Sequence, residues 1–204
     1  MRQNDLVRIP TDDEIRVLHE RFAPSPEAFE AVHTHCRIVC RIAESLLAET
    51  DHGLDVALVR AGCLLHDIGV YRLFGPGGTF DHAGYIRHGV LGEEMLRELG
   101  LPDVLCRFCS HHTGTGVTRD DVERQGLPLP PADYVAESGE EELVMYADKF
   151  HSKKSPPVFV STATFLTSVR RFGADKPARF AEMVQRFGEP DLKPLAVEYG
   201  HPIV

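Results

Sequence analysis

No apolar run in the sequence approaches the roughly 18 residues that a membrane-spanning helix requires, so no membrane association through a span is expected. Residues Met1 to Pro10 are polar and lack the apolar centre of a secretory signal, which points to a cytoplasmic protein. Basic residues are also in short supply: 22 Lys and Arg stand against 31 Asp and Glu, a formal charge of -9. So acidic a surface repels a phosphate backbone and argues against a nucleic-acid polymer as partner. A small anionic substrate is not excluded, because a bound metal ion can dominate the field of a site. Strand-like alternation, internal repeats and a domain-scale linker are missing too. The five cysteines are odd in number and suggest no disulfide framework. Cys106 and Cys109 make a CxxC, and Cys36 and Cys40 lie four apart. Both pairs fall inside helical patterns rather than in the glycine-rich knuckle of a zinc site, and they read as free thiols filling a core.

What is present is helical periodicity, in a chain of 204 residues whose 43% hydrophobic and 26% charged content suits one globular domain. Thr11-Asp12-Asp13-Glu14 is a capping box for a helix to about Phe22. Ser25-Pro26 supplies an N-cap and first-turn proline for a long helix. Its Phe29, Val32, Cys36, Val39, Ala43 and Leu46 keep a three-four spacing to about Thr50. A very apolar helix runs from Val56 to about His66, with Gly69 helping to stop it. The glycine-rich stretch 74–84 reads as a loop, one able to close over a substrate. Further helices are expected around His88 to Leu99, from Pro102 to Ser110, from Ser138 to about His151, and over 160–172 and 177–187, with a short capped turn at Thr118. Phe159, Phe165, Phe172, Phe180 and Phe187 read as packing anchors. The expected organisation is one all-α domain, with an N-terminal helix and lead-in over 1–25, a central unit carrying the chemistry over 26–152, and a C-terminal helical extension over 153–204 packed on it.

The chemistry-bearing residues fall on the apolar stripes of these helices. His35 follows Val32 by three, His66-Asp67 closes the most apolar helix, and His88 precedes Leu91 by three. His111-His112 ends a helix carrying Val104, Leu105 and Phe108, and Asp148 follows Val144 by four. Any one of these alone is ordinarily a hydrogen-bonded core or cap residue. Together they are a set of polar groups each costly to bury unpartnered, and a shared cation resolves that cost for all of them. His33 projects from another side of its helix than His35, and His19, His52 and His201 lie near element ends; none of the four is recruited.

The order His35, His66-Asp67, His88, His111-His112, Asp148 resembles the HD-domain superfamily of metal-dependent phosphohydrolases. Leu64-Leu65-His66-Asp67-Ile68-Gly69 looks like its "LLHDIG" word, and Ile86 to Gly92 and Ala147-Asp148-Lys149 are similar to its later motifs. His111-His112-Thr113-Gly114 is similar to the "HTTG" word of the HD-type symmetrical diadenosine tetraphosphatases. Two features depart from relatives. Gly69 leads to Val70 and Tyr71 where many members place a lysine. The residues after His112, and Ala31 one turn before His35, lack the marks of the cyclic-dinucleotide phosphodiesterases, which makes such a substrate less expected.

The resemblance implies an HD-type helical bundle with one metal at His35, His66, Asp67 and Asp148. It implies a second at His88 and His111, bridged by Asp67, with His112 as an alternative or additional ligand; His66 and Asp67 are the catalytic pair. Two divalent ions are expected, iron or manganese ahead of zinc, nickel or magnesium, because carboxylates are present and thiolates absent. Arg72, His82, Arg87, Lys149 and Lys153 are the candidates for holding substrate. The implied activity is hydrolysis of a nucleotide or other small phosphate ester by metal-activated water, with homodimer formation open. A di-iron oxygenase of the same fold and a catalytically silent metal-binding module stand as alternatives.

Overall fold

The computed structural model describes residues 8–49 and 52–204. Among them run ten α-helices: α1 (Asp12–Phe22), α2 (Pro26–Glu49), α3 (Val56–Leu65), α4 (His88–Glu98), α5 (Asp103–Ser110), α6 (Arg119–Gln125), α7 (Gly139–Asp148), α8 (Thr162–Val169), α9 (Lys176–Phe187) and α10 (Lys193–Tyr199). The expected end of the second helix at Thr50, and the first seven residues of the lead-in, lie outside the described residues.

Local chemistry starts these helices where the sequence puts it. Thr11 and Glu14 cap α1 reciprocally, Asp55 accepts from the amides of Ala57 and Leu58, Thr118 and Asp121 form a second capping box, and Ser138 accepts from Glu141. The long α2 is the axis of the molecule. Its Cys36, Ile38, Val39, Ile42, Ala43 and Leu46 are fully enclosed in one core with residues of α3, α5 and α7. All five cysteines are free and buried, as small core hydrophobes. Phe165, Phe180 and Phe187 of the C-terminal helices join the same core through Tyr146 and Phe150.

Between α3 and α4 the chain makes a 3-10 turn, Ile68–Leu73. Gly69 lies so close to α4 that a Cβ there would fall on the carbonyl of His88 and the amide of Gly92. Only glycine lets these two segments touch, and the touch brings Asp67 and His88 together.

The structure departs from the expected elements in four places. The seventh helix ends at Asp148 rather than His151, and the chain turns into a two-residue strand, β1 (His151–Ser152), antiparallel to β2 (Val158–Phe159). Strands this short leave no alternation to read. The C-terminus returns beside β2, Phe159 donating its amide to Pro202 and Val204 donating to Phe159. A tenth helix, Lys193–Tyr199, follows the two expected in the tail. Phe172 is 44% exposed under the guanidinium of Arg171, and does not anchor the core.

Candidate metal centre

Five helices deliver polar groups to one point. His35 comes from the middle of α2, His66 caps the end of α3 and Asp67 follows it, His88 opens α4, His112 lies just past α5, and Asp148 ends α7. His35 Nε2 lies 2.9 Å from Asp148 Oδ1 and 3.2 Å from Asp67 Oδ2. His66 Nε2 lies 3.5 Å from Asp148 Oδ1 and 3.6 Å from Asp67 Oδ2. On the other side of the Asp67 carboxyl, Oδ1 is 3.5 Å from His88 Nε2 and 3.8 Å from His112 Nε2. One carboxylate thus faces two pairs of imidazoles.

The outer nitrogens explain the inward ones. Nδ1 of His66 lies 2.7 Å from the carbonyl of Cys63, that of His88 2.6 Å from Tyr85, and that of His112 3.1 Å from Phe108. A carbonyl only accepts, so each Nδ1 carries a proton and each ring turns Nε2 inward; on the neutral rings of His88 and His112 that atom is a bare lone pair. The Nε2 atoms of His88 and His112 are 2.9 Å apart, and those of His35 and His66 are 3.3 Å apart. The opposed lone pairs of His88 and His112 call for a positive charge between them. Asp67 Oδ1, buried among them, has no hydrogen-bond partner. Four imidazoles and two carboxylates in this arrangement fit divalent cations.

The electrostatics agree. Burial disfavours ionised carboxylates here, yet Lys153, His66 and His35 hold Asp67 well below the usual carboxylate range. Lys149, His35 and His66 do the same for Asp148. Burial pushes His88 and His112 down, keeping both rings neutral. For His66 burial favours the neutral ring but is outweighed by Asp67 and Asp148, so without a cation the ring holds a proton more tightly. The two carboxylates demand cationic compensation, which Lys149, Lys153 and His66 supply in the absence of a bound cation.

Of the remaining sequence candidates, only Lys149 and Lys153 touch the centre. His111 turns away, with Nδ1 3.1 Å from Glu141, which also accepts from Arg107. Lys149 is buried and occupied, its ammonium 2.9 Å from the His112 carbonyl and 2.6 Å from Asp148. Lys153 reaches Asp67 directly and sits over the Tyr85 ring. Arg72 is paired with Glu98 at the surface, Arg87 is exposed, and His82 stands at the rim of a neighbouring pocket.

Sequence reasoning passed over three residues: His151, His201 and Glu141. His35 Nδ1 is 2.8 Å from His151 Nδ1, whose Nε2 is 3.0 Å from His201 Nδ1, so a file of imidazoles runs from the centre to the returning C-terminus. The spacing of His151, three after Asp148, was the only available signal. His33, read as lying apart from the site, does so, but it is largely buried and stacked on Phe29. The centre opens to a cleft of about 420 Å³ edged by Thr113, Gly114, Lys153 and Lys154.

The profile described as HD domain matches residues 32–153, the stretch that carries every inward-facing residue of the centre. The chain belongs to the HD domain family. An uncharacterized protein of Methanocaldococcus jannaschii is 42% identical over 122 residues, 58% of this chain and 65% of that one. The tRNA (cytidine(56)-2'-O)-methyltransferase of Picrophilus torridus is 30% identical over 153 residues, covering 74% of this chain and 40% of the enzyme. The enzyme of that name from Thermoplasma volcanium is 34% identical over 114 residues, or 56% and 30%. The chain therefore spans less than two thirds of these relatives' lengths. Among solved structures, the HD domain of the L. monocytogenes phosphodiesterase PgpH superposes with a TM-score of 0.56 at 16% identity, covering 91% of this chain and 98% of that one. The same domain has been solved in complex with cyclic-di-AMP, again at a TM-score of 0.56. At that identity the likeness establishes the shared HD fold.

Proposed function

We propose that this HD domain is a metal-dependent phosphohydrolase acting on a small phosphate ester of the nucleotide class. One divalent cation is held by His35, His66, Asp67 and Asp148 and a second by Asp67, His88 and His112. The observation that carries the reading is the set of four inward Nε2 atoms gathered around the carboxylates of Asp67 and Asp148, with Asp67 Oδ1 left without a hydrogen-bond partner. Iron or manganese suits the mixed imidazole and carboxylate set, which includes no thiolate.

When bound, such cations would lower the pKa of water and offset the charge of phosphoryl oxygens. The chain's own residues do the rest. Asp67 presents one oxygen to each imidazole pair, so it fixes the two sites relative to one another. The three backbone carbonyls behind His66, His88 and His112 hold the rings in the donor tautomer. Lys149 ties the turn after α5 to the end of α7, keeping His112 and Asp148 in register. Lys153, at 15% exposure, lines the cleft beside Asp67 and can bind a phosphoryl oxygen.

Metal content and turnover test the reading together. Chain purified without chelator is expected to carry near two equivalents of iron or manganese by elemental mass spectrometry. It is expected to release phosphate from nucleotides equally well with and without oxygen. Turnover that requires oxygen replaces the hydrolase with the oxygenase alternative. A chain that takes up no metal on reloading removes both.

A further inference from the structure

Beside the metal centre lies a second cavity, of about 650 Å³, that the chemistry above does not use. Its floor is α2, where Ala31 sits one turn before His35 and so shares its face. The small side chain is what leaves the space. Its far wall is the glycine-rich stretch, which is a built structure. Phe74 and Phe80 pair as an antiparallel bridge, closed by the Gly75 amide on the Thr79 carbonyl at 2.8 Å and the Asp81 amide on Leu73 at 2.9 Å. The bridge sets the two phenyl rings 4.8 Å apart, with Tyr85 6.3 Å beyond Phe80.

The cavity and the metal cleft share a partition, since Tyr85 and Lys153 line both. Tyr85 stacks on His88 at 4.7 Å, and the Lys153 ammonium lies over the same ring at 5.4 Å. An occupant of the cavity therefore meets aromatic and aliphatic wall over most of its body. It meets cationic groups, Lys153 and Lys154, only where the cavity joins the cleft.

We infer that this cavity receives the organic half of the substrate, a planar aromatic group held by ring contacts while its phosphate lies at the metal centre. The inference rests on the hydrolase reading and narrows it: the substrate is an aryl- or nucleobase-bearing phosphate. Apart from His82 and Ser155, the wall away from the two lysines offers ring and aliphatic faces, so the site selects for an aromatic surface more than it reads the edge of a base. A site built to pair a base edge would leave buried polar groups whenever the wrong base entered, and that is the usual source of strong discrimination. This wall has few such groups to leave.

The test uses the manganese-loaded chain with 1-naphthyl phosphate and glycerol phosphate as paired substrates. The hydrolytically inert 1-naphthylphosphonate serves as a calorimetric ligand. The native chain is expected to prefer the naphthyl ester by at least tenfold in kcat/KM and to bind the phosphonate. Ala31→Phe, which fills the cavity from an exposed position on α2, is expected to reduce that preference at least tenfold and to weaken phosphonate binding in step. Phe80→Ala, which removes wall instead of adding bulk, is expected to act in the same direction. Equal turnover of the two esters by the native chain, or unchanged phosphonate binding in both variants, overturns the inference and leaves the hydrolase reading standing. Phosphonate binding that Ala31→Phe abolishes, in a chain that hydrolyses neither ester, upholds the cavity and overturns the hydrolase reading.

Discussion

At the residue scale, neighbours one position apart take opposite roles. His111 is the C-cap of α5, with φ -98° and ψ 4°. Leaving the helical region there interrupts the 100° rotation per residue, so His112 swings to Asp67 while His111 meets Glu141. Helical periodicity does not reach past a cap, which is why the sequence could place the pair at the site but could not choose between them. The two substitutions should separate cleanly. His112→Ala is expected to lose close to one metal equivalent with a modest change in fold stability of the metal-free chain. His111→Ala is expected to keep both equivalents and to cost about 1–3 kcal/mol, because buried Glu141 loses a partner. Elemental analysis and denaturant titration of the two proteins check this; equal metal loss in both would contradict the assignment.

His19 carries a second prediction at this scale. Its ring is fully buried, hydrogen-bonded at 2.8 Å to both Tyr71 and the Leu64 carbonyl, and burial pushes its pKa from 6.5 down to about 4. Between those values the unfolded chain binds a proton that the folded chain refuses, so stability rises with pH across the window. As pH falls from 6.5 to 4, His19 alone is expected to withdraw about 3 kcal/mol, with no further loss below that. Denaturant unfolding from pH 4 to pH 7 should show a steeper acid limb for the native chain than for His19→Gln. Parallel limbs would remove His19 from the account.

At the element scale, much of the framework was legible because it is local. Thr11, Asp55, Thr118 and Ser138 each start a helix by accepting from the first turn, and a first-turn signal lies within four residues of itself. His66-Asp67 was legible because an ionisable pair directly after a strongly apolar helix must be buried with it, and burial demands a partner. What the sequence hid depends on distant pairing. His151 reaches His35 because β1 registers His151 against Phe159 and the C-terminus packs along the other side of β2, contacts that no local period encodes. Gly69 is intermediate: it was visible as a helix stop, whereas its larger role is the close approach to α4. Gly69→Ala is expected to force the 3-10 turn away from Gly92, costing about 1–3 kcal/mol and separating Asp67 from His88. Calorimetric metal titration should then show the second site weakened more than the first. Two unchanged affinities would mean that the turn and α4 are not coupled.

At the scale of the whole molecule, the centre is a cross-link. The residues assigned to it come from α2, α3, α4, α5 and α7, so cations held there would tie together five helices whose apolar faces already share one core. Without a cation, that core must enclose two carboxylates compensated by Lys149, Lys153 and a tightly held proton on His66, an arrangement that leaves Asp67 Oδ1 unpaired. A metal that binds the assembled site and not the unfolded chain adds its binding free energy to that of folding. With free metal at about 1,000 times its dissociation constant, the added stability is about 4 kcal/mol. For a chain of this length that corresponds to a rise of about 10 °C in Tm. Removing metal with a chelator is therefore expected to lower the calorimetric Tm by about that amount, and readdition of manganese should restore it. His35→Ala and Asp148→Ala should each keep only part of the manganese-dependent rise in Tm, because the first ligand set is broken while Asp67, His88 and His112 remain. If the native chain melts at the same temperature after metal is shown to have been removed, the cations lie outside the core, and the four inward imidazoles are a proton-sharing network instead of a ligand set.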